Sequence, residues 1–447
     1  MKKNILLFLL LIIMMNAFGQ KNTLLEPNNT CVYHGVQTMN FDNDKTLSGY
    51  LGVLNDTIIH PAVRGFFMGI PSERGPNFAL AGFNDFLHSA DSIGFIPELS
   101  LFFVGKIGVN VVSTDSIIAV SNQYDWIIDS IITLCKNYNR SMFLRIGGEF
   151  NGQGPGWNGG GYHPYLYVTM FQKIVNMFAA RGFRDSVATN WCYEPDAAND
   201  FDSVDSKGAR WYPGDNYVNW FGLDVFDAAH FDQALPDSIA RNITKKGKSE
   251  RFLAMARAKG KPVFMSETSA KGINISTDNN DGIDDWNNWF AKFFNFIDVH
   301  NEIKGFCYIN TNWPVGAYPN WGDARIQNST YVSLKYKTEL AKSKYINLKG
   351  SGCSGSVGHT EFTIPAQQFT IYPNPANTEI TIAFGSTNSS PDFELTDAKG
   401  LHVKTLHFAE INKIFYNLNI QNLPEGMYIL SFNVNEVKHY QKVMLVR

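Results

Sequence analysis

Two glutamates in this chain close runs of similar character. Glu149 follows Met142-Phe143-Leu144-Arg145-Ile146-Gly147-Gly148, and Glu267 follows Pro262-Val263-Phe264-Met265-Ser266. Each reads as a carboxyl group at the C-terminal tip of a buried strand, where a parallel β/α barrel gathers its active site. Two carboxyls facing each other across a cleft are the minimal machinery for breaking a glycosidic bond: one protonates the leaving oxygen while the other attacks or activates water. Glu149 and Glu267 are the candidate catalytic pair. Arg145 lies four residues before Glu149 and shares its strand face by the two-residue period. It can set the charge of a neighbouring carboxylate or hydrogen-bond it; a structural ion pair inside the barrel is the competing reading.

Other strand ends supply candidate substrate contacts. Asn151 and Trp157 lie in the Gly-rich stretch after Glu149, Asn190 and Trp191 in the run Ser186 to Glu194, Asp224 in Trp220 to Phe226, and Tyr308 and Asn310 in Ile303 to Asn310. Trp313 and Trp321 have Pro314 and Gly322 beside them. That marks exposed loops, where a flat amphipathic ring can stack on a sugar face or simply pack. His34 and His163 are placed near the mouth, with a satisfied structural role as the simpler alternative.

Placing these residues around one cleft requires a closed set of strands. Eight apolar, β-branched or aromatic segments qualify: Val32 to Val36, Val63 to Gly69, Ile96 to Val104, Met142 to Glu149, Ser186 to Glu194, Trp220 to Phe226, Pro262 to Thr268 and Ile303 to Asn310. Helical periodicity fills the intervals, as in Phe78 to Ile93, Tyr124 to Asn137, Tyr165 to Arg181 and Glu250 to Ala258. Eight strands alternating with helices predict an α/β fold, a (β/α)8 TIM barrel. A doubly wound sheet fits less well, because no Gly-rich phosphate loop follows the first strand. The 447 residues accommodate such a barrel, about 250 residues or more, plus a smaller domain. From Lys349 to His359 the composition turns to Gly and Ser, a linker signature. Short alternating strands punctuated by turns follow, predicting a small antiparallel β-sandwich. The expected domains are a barrel over 20–348, a linker over 349–362 and the sandwich over 363–447.

A net charge of −3 without a basic run gives no electrostatic case for nucleic acid or an anionic membrane as partner. Lys2-Lys3, the apolar stretch Ile5 to Met15 and Ala17-Phe18-Gly19 have the layout of a cleavable signal peptide over 1–19, too short for a confident membrane span. The mature protein is expected to be secreted, extracellular or on the outer-membrane surface, without a membrane span. None of the five cysteines has zinc-site spacing. Cys135, Cys192 and Cys307 read as buried hydrophobes. Cys31 and Cys353 flank the barrel, whose ends should approach each other, and are a candidate disulfide. Neither a metal nor an organic cofactor is expected for the chemistry. Asp278, Asn280 and Asp281 offer closely spaced oxygens around a Gly turn, as a calcium loop does; an acidic surface loop is the alternative.

The tail motifs Ile371-Tyr372-Pro373-Asn374-Pro375-Ala376-Asn377, Asp397-Ala398-Lys399-Gly400 and Gly426-Met427-Tyr428 onward resemble the C-terminal sorting domain of the type IX secretion system. That resemblance implies a Bacteroidota-type bacterium, the type IX machinery as partner, and removal of the tail on export. Carboxylates on the fourth and seventh strands resemble glycoside hydrolase clan A. Arg145 to Gly152, Trp211-Tyr212-Pro213-Gly214-Asp215-Asn216-Tyr217 with the residues through Asp224, and Lys261 to Thr268 resemble glycoside hydrolase family 26, the β-mannanase family. The resemblance implies that Glu149 is the acid/base and Glu267 the nucleophile of a retaining enzyme acting on a β-linked polysaccharide, most simply β-mannan. The same chemistry on β-glucan or β-1,3-xylan is an alternative, as is a glycan-binding protein without turnover. Two positions depart from the family: Gly148 stands where a His usually precedes the acid, and Phe226 stands where a Tyr usually bonds the nucleophile. Tyr193, Tyr308 and Asp227 are the candidate replacements for that phenol.

Overall fold

The computed structural model describes residues 23–28, 30–37, 45–54, 59–107, 110–152, 161–197, 199–232, 244–275, 282–316, 318–348, 353, 369–372, 374–384, 393–397, 401, 403, 408–412, 415–434 and 437–446. The expected signal segment, Trp157, the loop bearing Asp278, Asn280 and Asp281, and the expected linker apart from Cys353 lie outside them. The chain divides into two units, Met1–Gly355 and Ser356–Arg447.

The first unit contains the eight strands in the expected order: β1 (Val32–Gln37), β2 (Val63–Gly69), β3 (Ile96–Phe102), β4 (Met142–Glu149), β5 (Val187–Tyr193), β6 (Trp220–Leu223), β7 (Val263–Thr268) and β8 (Ile303–Ile309). Each pairs with the next in parallel, and β8 pairs back to β1, Tyr33 opposite Gly305 and Gln37 opposite Ile309. The sheet is therefore a closed eight-stranded barrel. Helices cover its outside because their apolar residues recur on one face. Asp125–Tyr138 buries Ile127, Ile128, Ile131, Ile132 and Cys135 and ends on Asn139 at φ 55°, a left-handed cap. An antiparallel hairpin, Val104–Ile107 with Asn110–Ser113, follows β3 and has no counterpart in the sequence reading.

Alternation along the strands sorts the barrel interior into levels. The floor is apolar: Phe143 of β4 packs against Trp220 of β6 and Phe264 of β7, with Val63, Ala188 and Cys307 closing the cluster. Two residues further along, the inward positions become polar and stay fully buried, with Glu98, Arg145, Asn190 and Ser266 at this level. Hydrogen bonds link them: Ser266 Oγ donates to Glu98, Gln37 Nε2 donates to the same carboxyl at 2.9 Å, and Asn190 Nδ2 donates to Ser266 Oγ at 2.8 Å. The mouth lies one level higher.

Cys31 is disulfide-bonded to Cys353, 322 residues away in sequence. Cys353, which composition places in the linker, is thus tied to the start of the barrel, and the compact unit runs past Leu348 to Gly355. Cys135, Cys192 and Cys307 are free and buried. In the second unit a four-stranded and a three-stranded antiparallel sheet share one core, with Ile380, Ile382 and Leu418 from the first and Leu395, Leu430 and Phe432 from the second. It is a small β-sandwich.

Candidate active site

Glu149 reaches the mouth because β4 changes its path just before it. Register with β5 is regular through Arg145–Asn190, then shifts so that Glu149 stands opposite Cys192. Gly147 and Gly148 take up the change at φ 88° and 54°, a region that costs glycine little. Neither position has room for a side chain. A Cβ on Gly148 would lie 2.3 Å from the Phe102 ring, and one on Gly147 2.6 Å from Tyr167. The Phe102 ring therefore fills the volume that a residue in place of Gly148 would need.

Glu267 is fixed from below. Arg145, fully buried, donates one guanidinium nitrogen to Glu267 Oε1 and the other to Asp224 Oδ2. Asp224 Oδ1 accepts the backbone N–H of Glu267 at 2.9 Å. A planar fork shared between two carboxylates holds both in set orientations. This clamp orients Glu267 without a phenol. The candidate replacements are engaged elsewhere: Tyr193 donates to Asp200 at 2.7 Å, Tyr308 to the Ala324 carbonyl at 2.6 Å, and Asp227 accepts from Lys245 at 2.9 Å.

Above the clamp opens a cleft of about 680 Å³. Its lining includes the carboxyls of Glu149, Glu194, Asp196 and Glu267 and the rings of Phe226, Trp313 and Trp321. The Phe226 ring lies 4.9 Å from Trp321 and 6.2 Å from Trp313, making an aromatic wall suited to a sugar face. Lys271 lies over Trp321 at 4.8 Å and pairs with Asp196 at the rim. Burial holds the Glu149 carboxyl well above the usual carboxylate range; the charges of Glu194, Asp224 and Glu267 add to it, against the pull of Arg145. Burial, with the charge of Asp196 next, pushes Glu194 up to about 8.

The remaining sequence candidates divide by position. Trp313 and Trp321 line the cleft, Trp313 with its indole N–H donated to Ser269 Oγ at 2.9 Å. Asn151 sits beside the cleft as a brace, donating to the carbonyls of Glu194 and Asn199. Asn190 lies in the polar level below the mouth. Trp191 does not reach the cleft: its ring stacks on Phe150 at 4.5 Å and packs against Phe221 and Phe252 in the layer outside the barrel. Adjacent strand residues point to opposite faces, so Asn190 and Trp191 cannot both face inward. Tyr308 packs outward against Trp289 and Phe290. Asn310 fixes the loop that follows β8, bonding Gln327 and the N–H of Ile326. His34 is buried between Asn347 and Tyr50, away from the mouth, and His163 precedes the first turn of the helix Pro164–Ala180. Sequence reasoning missed Glu194, although it follows β5 as Glu149 and Glu267 follow their runs, and it missed Lys271 and Phe102.

Glu194, Asp196 and His230 bring possible ligand atoms within 4.8 Å of one another, but their protonation opposes a metal. His230 Nδ1 accepts the N–H of Phe226 at 3.1 Å, so a neutral ring carries its proton on Nε2, which lies 3.2 Å from Asp196 Oδ1. No lone pair faces the centre. Lys245 and Lys271 already neutralise Asp196, at 2.6 and 3.2 Å.

A closed β/α barrel with carboxyls at the tips of β4 and β7 has the architecture of a glycoside hydrolase of the two-carboxylate class. Residues 107–301 match the glycosyl hydrolase family 26 model, and residues 370–446 match the secretion system C-terminal sorting domain. The barrel unit carries a family 26 glycosyl hydrolase domain, and the sandwich is a sorting domain. Two curated relatives are a β-1,3-xylanase of a Vibrio species, 26% identical over 51% of this chain and 49% of its own length, and a β-1,3-xylanase of an Alcaligenes species, 27% identical over 50% and 48%. The chain thus spans about half the length of the curated relatives it matches. Among solved structures, a modular endo-β-1,4-mannanase from Cellulomonas fimi is 16% identical with a TM-score of 0.50, covering 94% of each chain, which supports the fold. No helix among the described residues is long and apolar enough to cross a membrane.

Proposed function

We propose that the protein is a secreted retaining glycoside hydrolase acting on a β-linked polysaccharide. The observation that carries this reading is the unequal state of the carboxyls around one cleft. Glu267 is held and aimed by a buried arginine, whereas burial and the like charge around Glu149 hold its carboxyl well above the usual carboxylate range. In the first step Glu267 bonds to the anomeric carbon as the glycosidic C–O bond breaks, and the Glu149 proton passes to the leaving oxygen. In the second, water gives a proton to Glu149 and its hydroxyl to the anomeric carbon, releasing Glu267.

Among β-linked glycans, β-1,3-xylan ranks first, because both curated relatives are named for it. The β-mannan expectation rests on the family resemblance, from which Gly148 and Phe226 depart. The sorting tail supports export through the type IX machinery to the cell exterior or surface. The test is product release by the full chain from β-1,3-xylan, β-mannan and β-glucan, read by chromatography of the oligosaccharides. Products from β-1,3-xylan support the reading with its substrate. Products from another of the three keep the chemistry and change the substrate. Binding of a glycan without any product makes the cleft a lectin-like site and overturns the hydrolase reading.

A further inference from the structure

The cleft holds one carboxyl more than double displacement needs. Glu194 follows β5, whose Cys192 is the register partner of Glu149. By the two-residue period Glu194 continues the Cys192 face, while Tyr193 between them packs outward against Phe252 at 4.9 Å. The residue is built in firmly. Asn151, in the loop after Glu149, accepts the Glu194 N–H at 3.0 Å and donates to its carbonyl at 2.7 Å. The Asp196 N–H donates to Glu194 Oε1 at 2.7 Å. This brace couples the ends of β4 and β5, and Glu194, only 9% exposed, lines the cleft.

We propose that Glu194 is a positioning residue for the acid/base step: its carboxyl, set by the Asn151 brace at the cleft that Glu149 also lines, keeps Glu149 in its proton-carrying form once Glu194 itself ionises. The proposal rests on the hydrolase reading for its purpose, not for its test. The charged and titratable groups around Glu149 are Glu194 and Cys192 at the end of β5, Asp224 beyond β6, Glu267 of β7 and Arg145 of its own strand. Around Glu194 they are Asp196, Asp224, Lys271 and Glu149. Asp224 and Glu267 share the Arg145 guanidinium, and Asp196 is neutralised by Lys245 and Lys271. Among the described residues no cation forms an ion pair with Glu194, and Lys271 acts on it only through space, so once Glu194 ionises its like charge falls on Glu149. Removing it weakens the hold on the Glu149 proton.

The experiment follows Glu149 itself by carboxyl 13C NMR titration of the full chain labelled at glutamate, assigned by the signal lost in Glu149→Gln. Wild type is compared with Glu194→Gln, and with Glu194→Ala should the Gln variant fail to fold; Glu194→Asp serves as the charge-retaining control. The titration midpoint of Glu149 falls by about one pH unit or more when the charge is removed and returns toward wild type in Glu194→Asp. On a substrate that is hydrolysed, the basic limb of kcat/KM moves down by the same amount. An unmoved midpoint in a folded, charge-removed variant overturns the proposal. The titration needs no turnover, so a chain that hydrolyses nothing defeats the hydrolase reading while the Glu194–Glu149 coupling is still measured.

Discussion

Arg145 divides one buried guanidinium between Glu267 and Asp224, and its two sequence readings, charge-setting and structural, turn out to describe the same contact. Removing the cation leaves two carboxylates facing each other in a dry place. Breaking a buried pair from one side costs about 3–5 kcal/mol, so Arg145→Met is expected to lower the urea midpoint by that equivalent and to lose hydrolysis. A variant as stable as wild type would contradict the clamp. At this scale the glutamates were legible because a lone carboxylate ending an apolar run is conspicuous. Glu194 carried the same signal but was read only as the end of a strand. The Phe102 ring against Gly148 was not legible: the two residues lie on neighbouring strands, β3 and β4, 46 positions apart in numbering.

The elements were the most readable level. All eight barrel strands coincide with runs chosen for apolar, β-branched and aromatic content, since a barrel strand is buried on both faces and leaves a continuous apolar run. The same property hid which side chains face inward, and it put Trp191 in the cleft when it belongs to the outer layer. In the sorting domain the strand Val437–Leu445, written Val-Lys-His-Tyr-Gln-Lys-Val-Met-Leu, mixes charges into its alternation and is hard to read from sequence. On β1, His34 links the barrel to Asn347 and, through Tyr50, to Tyr336. Burial, opposed by the Asn347 hydrogen bond, pushes its pKa down to about 3. The unfolded chain takes up this proton below about 6.5 and the folded chain does not, so stability is lost as pH falls from about 6.5 toward 3, by up to about 1.4 kcal/mol per pH unit. Urea midpoints across this range are expected to fall less steeply in His34→Gln. Equal slopes would show that His34 is protonated in the folded state.

For the molecule as a whole, the division at Gly355 and the Cys31–Cys353 disulfide assign the short segment after Leu348 to the barrel. A chain ending at Gly355 is expected to hydrolyse glycan at the full-chain rate, since every cleft residue among those described lies before it. One ending at Leu348 lacks Cys353 and is expected to be less stable by about 2–4 kcal/mol, because the unfolded chain loses a long cross-linked loop. Equal stability of the two in denaturant would remove the disulfide from the account. Composition puts Cys353 in the linker that begins at Lys349, whereas the pairing with Cys31, a candidate from the sequence, ties it to the barrel, because a disulfide depends on where the chain ends meet.

The central claim is that Glu149 and Glu267 perform the two halves of one reaction. It is tested most directly by initial rates of the full chain on the glycan it cleaves, beside folded Glu149→Gln and Glu267→Gln. The account predicts that each substitution lowers kcat by about 10²–10⁴-fold or more, and that an unreactive leaving group suffers most in Glu149→Gln. Either variant retaining wild-type turnover would contradict it.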